Sequence, residues 1–89
     1  MLVLTCQIRA ARALIGWEQA NLAQEAGIGI STVRRLEGIR GRISAHVDTV
    51  ERIRAAFERA GVEFIGPSNP GVRLIQSRAL FGDTLDDGS

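Results

Sequence analysis

The sequence predicts a mainly α-helical domain of four to five helices, followed by a small C-terminal β-hairpin. Apolar residues recur at helical spacing in the segments before Gly61, and after Gly61 they alternate with polar residues as they do in strands. The chain has 89 residues, which is enough for one domain. A domain of this size buries about 60 to 70 % of its unfolded surface, so it has little room for a deep active site.

Apolar residues repeat every three or four positions in four segments, and each segment is predicted to be a helix. The predicted bounds are 5–15, 18–26, 30–38 and 47–60. The first helix ends at Gly16 and the last at Gly61, because a glycine after the last apolar residue readily adopts the left-handed conformation that ends a helix. A short extra turn between residues 41 and 46 would make a fifth helix.

The residues after Gly61 predict a hairpin over residues 62–76. The segments VEFI (62–65) and VRLI (72–75) are the predicted strands, and the six residues GPSNPG between them favour a loop. Two strands alone are only marginally stable in water. Residues 2–5 are a candidate third strand, and the alternative is the same hairpin of a second chain paired across a two-fold axis. We favour the homodimer.

Every cationic side chain is an arginine, and the charges are unevenly distributed. Residues 1–78 contain all eleven arginines and seven acidic residues, a balance of +4, whereas the last eleven residues contain Asp83, Asp86 and Asp87, a balance of −3. The folded part is therefore expected to be basic, and residues 77–89 are predicted to be an acidic, disordered tail. The planar guanidinium group suits phosphates and guanine edges.

Few residues suit catalysis or metal binding. Cys6 is the only cysteine, which excludes an intramolecular disulfide, and it is expected to be a small core residue. His46 is the only histidine and is expected to cap a helix or to lie on the surface. No two titratable residues have catalytic spacing. We therefore expect a protein that is not an enzyme and has no metal or cofactor; because no signal or membrane segment is predicted, we expect it in the cytoplasm.

Residues 19–38, QANLAQEAGIGISTVRRLEG, have a pattern that allows two short helices to cross closely. Ala23 is small enough for the second helix to approach, and Gly27 lets the chain turn after the first helix. The apolar positions are Leu22, Ala23, Ala26, Ile28, Val33 and Leu36. This segment resembles the helix-turn-helix of the phage-repressor (XRE-like, Cro/CI-type) family of bacterial DNA-binding proteins.

The resemblance extends from Ile8 to about Ala60, more than half of the chain, and residues 60–65 and 70–74 are similar to the ending of short XRE-like proteins. It implies a phage-repressor-like DNA-binding domain over residues 1–61, with double-stranded DNA as its partner. A homodimer would place each recognition helix in a major groove, with two half-sites about 34 Å apart in a pseudo-palindromic operator. The implied function is transcriptional regulation, most simply repression.

The resemblance also implies which residues contact DNA. A glutamine at the start of the second helix would face a phosphate. Val33 and Leu36 supply the inner face of the recognition helix, so its other residues are candidates for reading bases. One of its two arginines would fork onto guanine, and phosphate contact is the alternative. Two arginines in the following loop would clamp phosphates. The predicted DNA-binding residues are Gln19, Ile30, Ser31, Thr32, Arg34, Arg35, Arg40 and Arg42.

Four residues in or near this predicted interface differ in role from its polar and cationic members. Ile30 occupies a place where the family usually has a polar residue, so it either packs on a thymine methyl group or turns toward the protein. Glu18 replaces the usual serine, threonine or asparagine cap, and its charge suits the helix dipole but repels phosphate. Arg12 and Glu37 stand where the family has a structural ion pair, which implies that a buried Glu37 orients the recognition helix.

A second class of function stays open from the sequence. The chain could be an antitoxin-type interaction module, whose hairpin and tail bind a partner protein such as a toxin. Its DNA binding would then regulate its own operon. An adjacent, co-transcribed gene for a small toxic protein would favour this alternative.

Overall fold

The computed structural model describes residues 1–66 and 68–75 of the chain. Four α-helices are followed by a two-stranded antiparallel hairpin, so the domain is mainly α-helical, as predicted. The elements in chain order are α1 (Thr5–Ile15), α2 (Gln19–Ala26), α3 (Ile30–Glu37), α4 (Val47–Arg59), β1 (Val62–Ile65) and β2 (Gly71–Leu74). The predictions for the acidic tail concern residues outside the described part.

The helix bounds follow local backbone conformation. α1 has its predicted bounds, and each of the other three helices is one residue shorter than predicted. Glu18 has an extended backbone (φ −93°, ψ 171°) and precedes α2, while its N–H donates to the Asn21 side chain (2.8 Å). Gly38 and Ala60 follow the last residues of α3 and α4. Residues 38–46 contain no helix, so the predicted fifth helix is absent from this described stretch.

β1 and β2 pair in an antiparallel register that runs from Val62 opposite Leu74 to Ile65 opposite Gly71. The second strand therefore begins and ends one residue earlier than predicted. The reason is the pairing of Gly71 with Ile65, which extends the sheet into the predicted loop. The connection consequently spans residues 66–70.

Residues 2–5, the candidate third strand, do not join this sheet. The last of them already belongs to α1, and Leu4 forms an isolated antiparallel bridge with Arg42 in the loop before α4. Met1 reaches the sheet through its ammonium group, which donates to the Phe64 carbonyl (2.6 Å). The sheet in the described part of the chain has two strands.

Gln7 explains why the N-terminal segment stays beside the helix. Its side-chain carbonyl accepts the backbone N–H groups of Val3 and Leu4 (2.7 and 2.8 Å), so these donors are satisfied at the start of α1 rather than in a strand. Its side-chain nitrogen donates to the carbonyls of Met1 and Gly71 (both 3.0 Å). One buried amide thus joins the N-terminus, α1 and the hairpin.

Phe57 of α4 is fully buried within the hydrophobic core. Its ring stacks on Trp17, with centroids 5.4 Å apart, and meets Phe64 edge to face at 5.7 Å. Both are arrangements that aromatic pairs favour. Because Phe64 and its strand neighbour Val62 are buried, the hairpin closes one side of the helical core. Other large buried side chains of the core are Ile8, Leu22, Val33, Leu36 and Ile53.

α2 and α3 are joined by only three residues, 27–29. Gly27 has φ 70°, the left-handed conformation that favours glycine, and a Cβ atom there would lie 3.4 Å from Arg52 Nη1. The Ile28 N–H donates to the Ala23 carbonyl (3.0 Å), which holds the turn against α2. Ala23 itself is buried. This close crossing leaves the outer side of α3 facing solvent.

Cys6 is exposed, so its predicted place in the core is wrong. The buried positions of α1 include Thr5, Ile8 and Ala11, and Cys6 lies two residues before Ile8, on the other side of the helix. His46 is exposed and precedes α4. No group of three His, Cys, Asp or Glu side chains in the described residues could hold a metal ion. None of the described helices combines the length and apolarity needed to cross a membrane.

Candidate nucleic-acid interface

α3 presents one side to the core and the other to solvent. Val33 and Leu36 are each only 1 % exposed, and their spacing of three residues makes one inner stripe. Ser31, Arg34 and Arg35 are exposed. The outer side of α3 is therefore polar and cationic.

Two predicted contact residues are less accessible than these three. Ile30, the first residue of α3, is half-buried and packs against the core. This packing favours the orientation toward the protein over contact with a thymine methyl group. Thr32 is also half-buried. The exposed residues of α3 that were predicted to read bases are thus Ser31, Arg34 and Arg35.

Glu37, at the end of α3, is held by side chains from two other helices. Its carboxylate accepts two parallel hydrogen bonds from Arg12 of α1, Nε to Oε2 (2.8 Å) and Nη2 to Oε1 (2.7 Å). Gln19 of α2 donates to the same Oε1 atom (3.1 Å). The Glu37 side chain is 4 % exposed and that of Arg12 is 19 % exposed. One buried carboxylate therefore connects α1, α2 and α3.

Arg9 makes a second contact with the C-terminal end of α3, and this contact was not predicted from the sequence. Its Nη1 atom donates to the Glu37 carbonyl (2.8 Å), where the last helical carbonyls lack intrahelical partners and the helix dipole favours a cation. Arg12 lies one turn further along α1, and its Nη1 atom donates to the Trp17 carbonyl (3.2 Å). The spacing of Arg9 and Arg12, three residues apart on one helix, is the signal that could have identified Arg9.

Gln19 occupies the start of α2, where a phosphate contact was predicted. Its side chain is turned toward Glu37, whereas its backbone N–H belongs to the first turn of the helix and has no intrahelical acceptor. A surface depression of about 450 Å³ lies beside it. The residues that line this depression are Arg12, Glu18, Gln19, Ala20, Ile30 and Arg34. The structure thus brings Gln19, Ile30 and Arg34 together, with the Glu18 carboxylate at the same place.

Four exposed arginines differ from all the others in the described part of the chain. We call Arg34, Arg35, Arg40 and Arg42 the α3 arginine group. Within residues 1–66 and 68–75, none of the four has an ion-pair or side-chain hydrogen-bond partner. The arginines that donate to a carboxylate or carbonyl oxygen are Arg9, Arg12, Arg52, Arg54, Arg59 and Arg73. The α3 arginine group is therefore available to an external anion.

The loop that carries half of this group is fixed to the start of α1. The Thr5 N–H donates to the Gly41 carbonyl (2.8 Å), and the Ile43 N–H donates to the Val3 carbonyl (2.9 Å). Gly41 has φ 95°, a conformation that side-chain-bearing residues rarely adopt. The backbone of this loop is thus held on both sides of Arg42, at Gly41 and at Ile43, and Arg40 directly precedes Gly41.

A second surface depression, of about 420 Å³, lies between α3 and the start of α4. It is lined by Arg35, Ser44, Ala45, His46 and Thr49. Ser44 and Thr49 are not among the predicted DNA-binding residues. Their hydroxyl groups extend the polar surface around Arg35.

The outer side of α4 also contains arginines, but there they form ion pairs with acidic residues. Arg52 pairs with Asp48 one turn earlier (3.0 Å), and Arg54 pairs with both Glu51 and Glu58. The hydrogen bond from Arg54 lowers the pKa of Glu51 more than desolvation raises it, and the charge of Arg54 adds to the lowering. The hydrogen bonds to the two carboxylates raise the pKa of Arg54. These arginines are neutralised within the helix.

The α3 arginine group gives α3 and the loop after it an exposed cationic surface, and Arg34 and Arg35 each line one of the two depressions. Such a surface suits an extended polyanion, because planar guanidinium groups bind phosphate oxygens and guanine edges with two parallel hydrogen bonds.

No protein-family model matches this chain, and no curated protein matches it.

Proposed function

We propose that this protein is a sequence-specific regulator of transcription that binds double-stranded DNA and represses by occupying an operator. The observation that carries the proposal is the α3 arginine group, whose four members are exposed and lack a protein partner in the described part of the chain. These arginines lie on a short helix and the loop after it, and arginines in such places can reach guanine edges and phosphates.

The junction of α2 and α3 supports a helix-turn-helix of the phage-repressor type. In that arrangement two helices meet at a short turn that often contains glycine, and the second helix enters the major groove. Here the turn has three residues and Gly27 is left-handed. Ser31, Arg34 and Arg35 would then face base edges, and the loop arginines would lie along the sugar–phosphate backbone.

The network around Glu37 supports a fixed orientation of α3 during recognition. Base readout requires side chains to be held within a fraction of an ångström of their productive positions. Arg9 and Arg12 hold the C-terminal end of α3 through the Glu37 carbonyl and carboxylate. Both contacts come from α1 and are already present without DNA. DNA binding therefore need not reorient α3.

The proposed assembly is a homodimer that places two copies of α3 in successive major grooves. Half-sites about 34 Å apart, with pseudo-palindromic sequence, follow from that symmetry. The hairpin is the proposed dimerisation element. A repressor of this kind acts by covering a promoter.

The test is a selection of duplexes from a randomised pool by the full chain, followed by fluorescence anisotropy. The selected duplex, the protein's own upstream region and a scrambled duplex are each titrated across a salt series. We expect a preference of about a thousandfold for the selected duplex and a steep salt dependence, since several phosphates are neutralised. Failure to enrich any sequence, with equally weak binding to all duplexes, would contradict the proposal and favour the antitoxin-type interaction module.

A further inference from the structure

The hydrogen-bond pattern of the hairpin determines which backbone groups face outward. The Ile75 N–H donates to the Gly61 carbonyl (2.6 Å), so these residues form a hydrogen-bonded pair. Paired positions alternate along an antiparallel ladder between hydrogen-bonded and non-hydrogen-bonded. The N–H and C=O groups of Val72 and Leu74 therefore point away from β1.

The two edges of the sheet are not equivalent. On the β1 side, the Phe64 carbonyl accepts a hydrogen bond from the Met1 ammonium group (2.6 Å), and Met1 also lies against Gly66. On the β2 side, no described residue bonds the outward groups of Val72 or Leu74. Among residues 1–66 and 68–75, β2 is thus an edge strand with unpaired groups, and such an edge templates the addition of another strand.

Apolar side chains beside this open edge remain partly accessible. Val62 and Phe64 of β1 are buried, whereas Val72 and Leu74 of β2 face the same side and are only half-buried. α1 runs beside β2, where Gln7 donates to the Gly71 carbonyl (3.0 Å). Residues three and seven positions further along that side of α1 are Ala10, which is exposed, and Leu14, which is half-buried.

We propose that β2 pairs antiparallel with β2 of a second copy of this chain, across a two-fold axis beside Val72. This inference rests on the homodimer of the proposed function and specifies its interface. The edge is complementary to itself, because pairing Val72 with Val72 and Leu74 with Pro70 of the second copy makes four backbone hydrogen bonds. Pro70 contributes its carbonyl oxygen and has no N–H, which ends the pairing at that residue.

The charge of Arg73 favours this register over the one in which the axis is shifted by one residue. Arg73 pairs with Glu63 across the hairpin (2.9 Å) on the outer face of the sheet. With the axis beside Val72, Arg73 lies opposite Gly71 of the second copy, which has no side chain. A shift of the axis by one residue would place the two Arg73 side chains opposite each other, an arrangement that destabilises a sheet.

The first test compares Val72→Pro with Val72→Thr in the full chain by light scattering at micromolar concentration. Proline removes only the outward N–H of an edge strand, a position where it is tolerated, and threonine retains that N–H in a similar shape. We expect a dimer for the unaltered chain and for Val72→Thr. Val72→Pro loses one hydrogen bond from each copy, so its dimer dissociation constant should rise by about tenfold or more. Equal helical circular dichroism would show that all three chains are folded.

The second test uses charge at Gly71, where an added Cβ atom meets only Ile65 Cδ1 at 4.0 Å. Gly71→Glu would face Arg73 of the second copy and tighten the dimer, and Gly71→Arg would weaken it. Two symmetric cross-strand pairs give an expected change of roughly two- to tenfold in each direction. Equal dissociation constants for these two variants would overturn the register.

A monomeric unaltered chain, or a dimer that Val72→Pro leaves intact, would overturn the interface. Failure of the interface and failure of the proposed function are distinguishable by DNA binding. If both hold, Val72→Pro binds a single half-site duplex like the unaltered chain, with the same salt dependence, and loses cooperative binding to the full site. A dimer that selects no DNA sequence would leave the interface correct and the proposed function wrong.

Discussion

α3 and α4 both present arginines to solvent, but only those of α3 lack partners within the described residues. On α4, acidic residues stand three or four positions from Arg52 and Arg54, so each arginine pairs within its own helix. On α3, the one acid is Glu37, which is turned inward to Arg12. The arginines of α4 are thus neutralised by neighbouring acidic residues, whereas those of α3 are candidate anion-binding groups.

The largest expected effect comes from removing the partner of Glu37. Arg12→Ala leaves that buried carboxylate with Gln19 as its remaining side-chain partner and should lower the free energy of unfolding by about 3 to 5 kcal/mol. The matched change on α4, Arg54→Ala, should leave stability nearly unchanged, because exposed ion pairs contribute little. Urea unfolding measures both variants. Similar midpoints for the two would contradict the structural role of Glu37.

The next effect concerns base discrimination by α3. Of Arg34→Ala and Arg35→Ala, at least one should reduce the preference for the selected duplex by about 1 to 3 kcal/mol, because a bidentate contact to guanine is lost. Arg52→Ala removes the same charge from α4 and is the control. Anisotropy titrations at one salt concentration give the affinities. An equal loss for all three variants would mean that only net charge matters.

A smaller effect is expected from the loop arginines. Arg40→Ala and Arg42→Ala should weaken binding to every duplex alike and lower the magnitude of the salt slope by about 0.9 each, because phosphate contacts carry no sequence information. Arg54→Ala, on α4, should leave the slope unchanged, because that arginine is already paired with two carboxylates. The slopes come from titrations at several salt concentrations. A change in base preference would instead assign these residues to the bases.

The smallest expected effect concerns the ion pairs of α4. The pKa of Glu51 is lowered below its ordinary value of 4.5, chiefly by its hydrogen bond from Arg54. Because the folded-state pKa is the lower one, the pair stabilises the fold above pH 4.5 and loses that contribution as pH falls through the lowered pKa. Titration of the Glu51 carboxyl carbon by NMR should show its pKa rising toward 4.5 in Arg54→Ala. An unchanged pKa would refute the pairing on α4.

Local patterns predicted the elements well and several side-chain positions poorly. The bounds of α1 and the left-handed turn at Gly27 follow from residues close in sequence. The exposure of Cys6 was misjudged, because residue type was weighed above position on the helix. Apolar residues made residues 2–5 a candidate third strand, whereas Gln7 satisfies the backbone donors that such a strand would use.

By itself, the sequence determined four helices, a tight turn and a hairpin, because spacing and glycine conformation act over a few residues. Only the tertiary structure decided which of the ten described arginines have a partner within residues 1–66 and 68–75. Arg9 donates to a carbonyl 28 residues away and Arg59 to one 34 residues away. Helical spacing places Arg9 on the same side of α1 as Arg12, but it does not show which acceptor either side chain meets. An arginine side chain takes whichever acceptor the packed helices bring within reach, so its availability to DNA is settled only when the helices have packed.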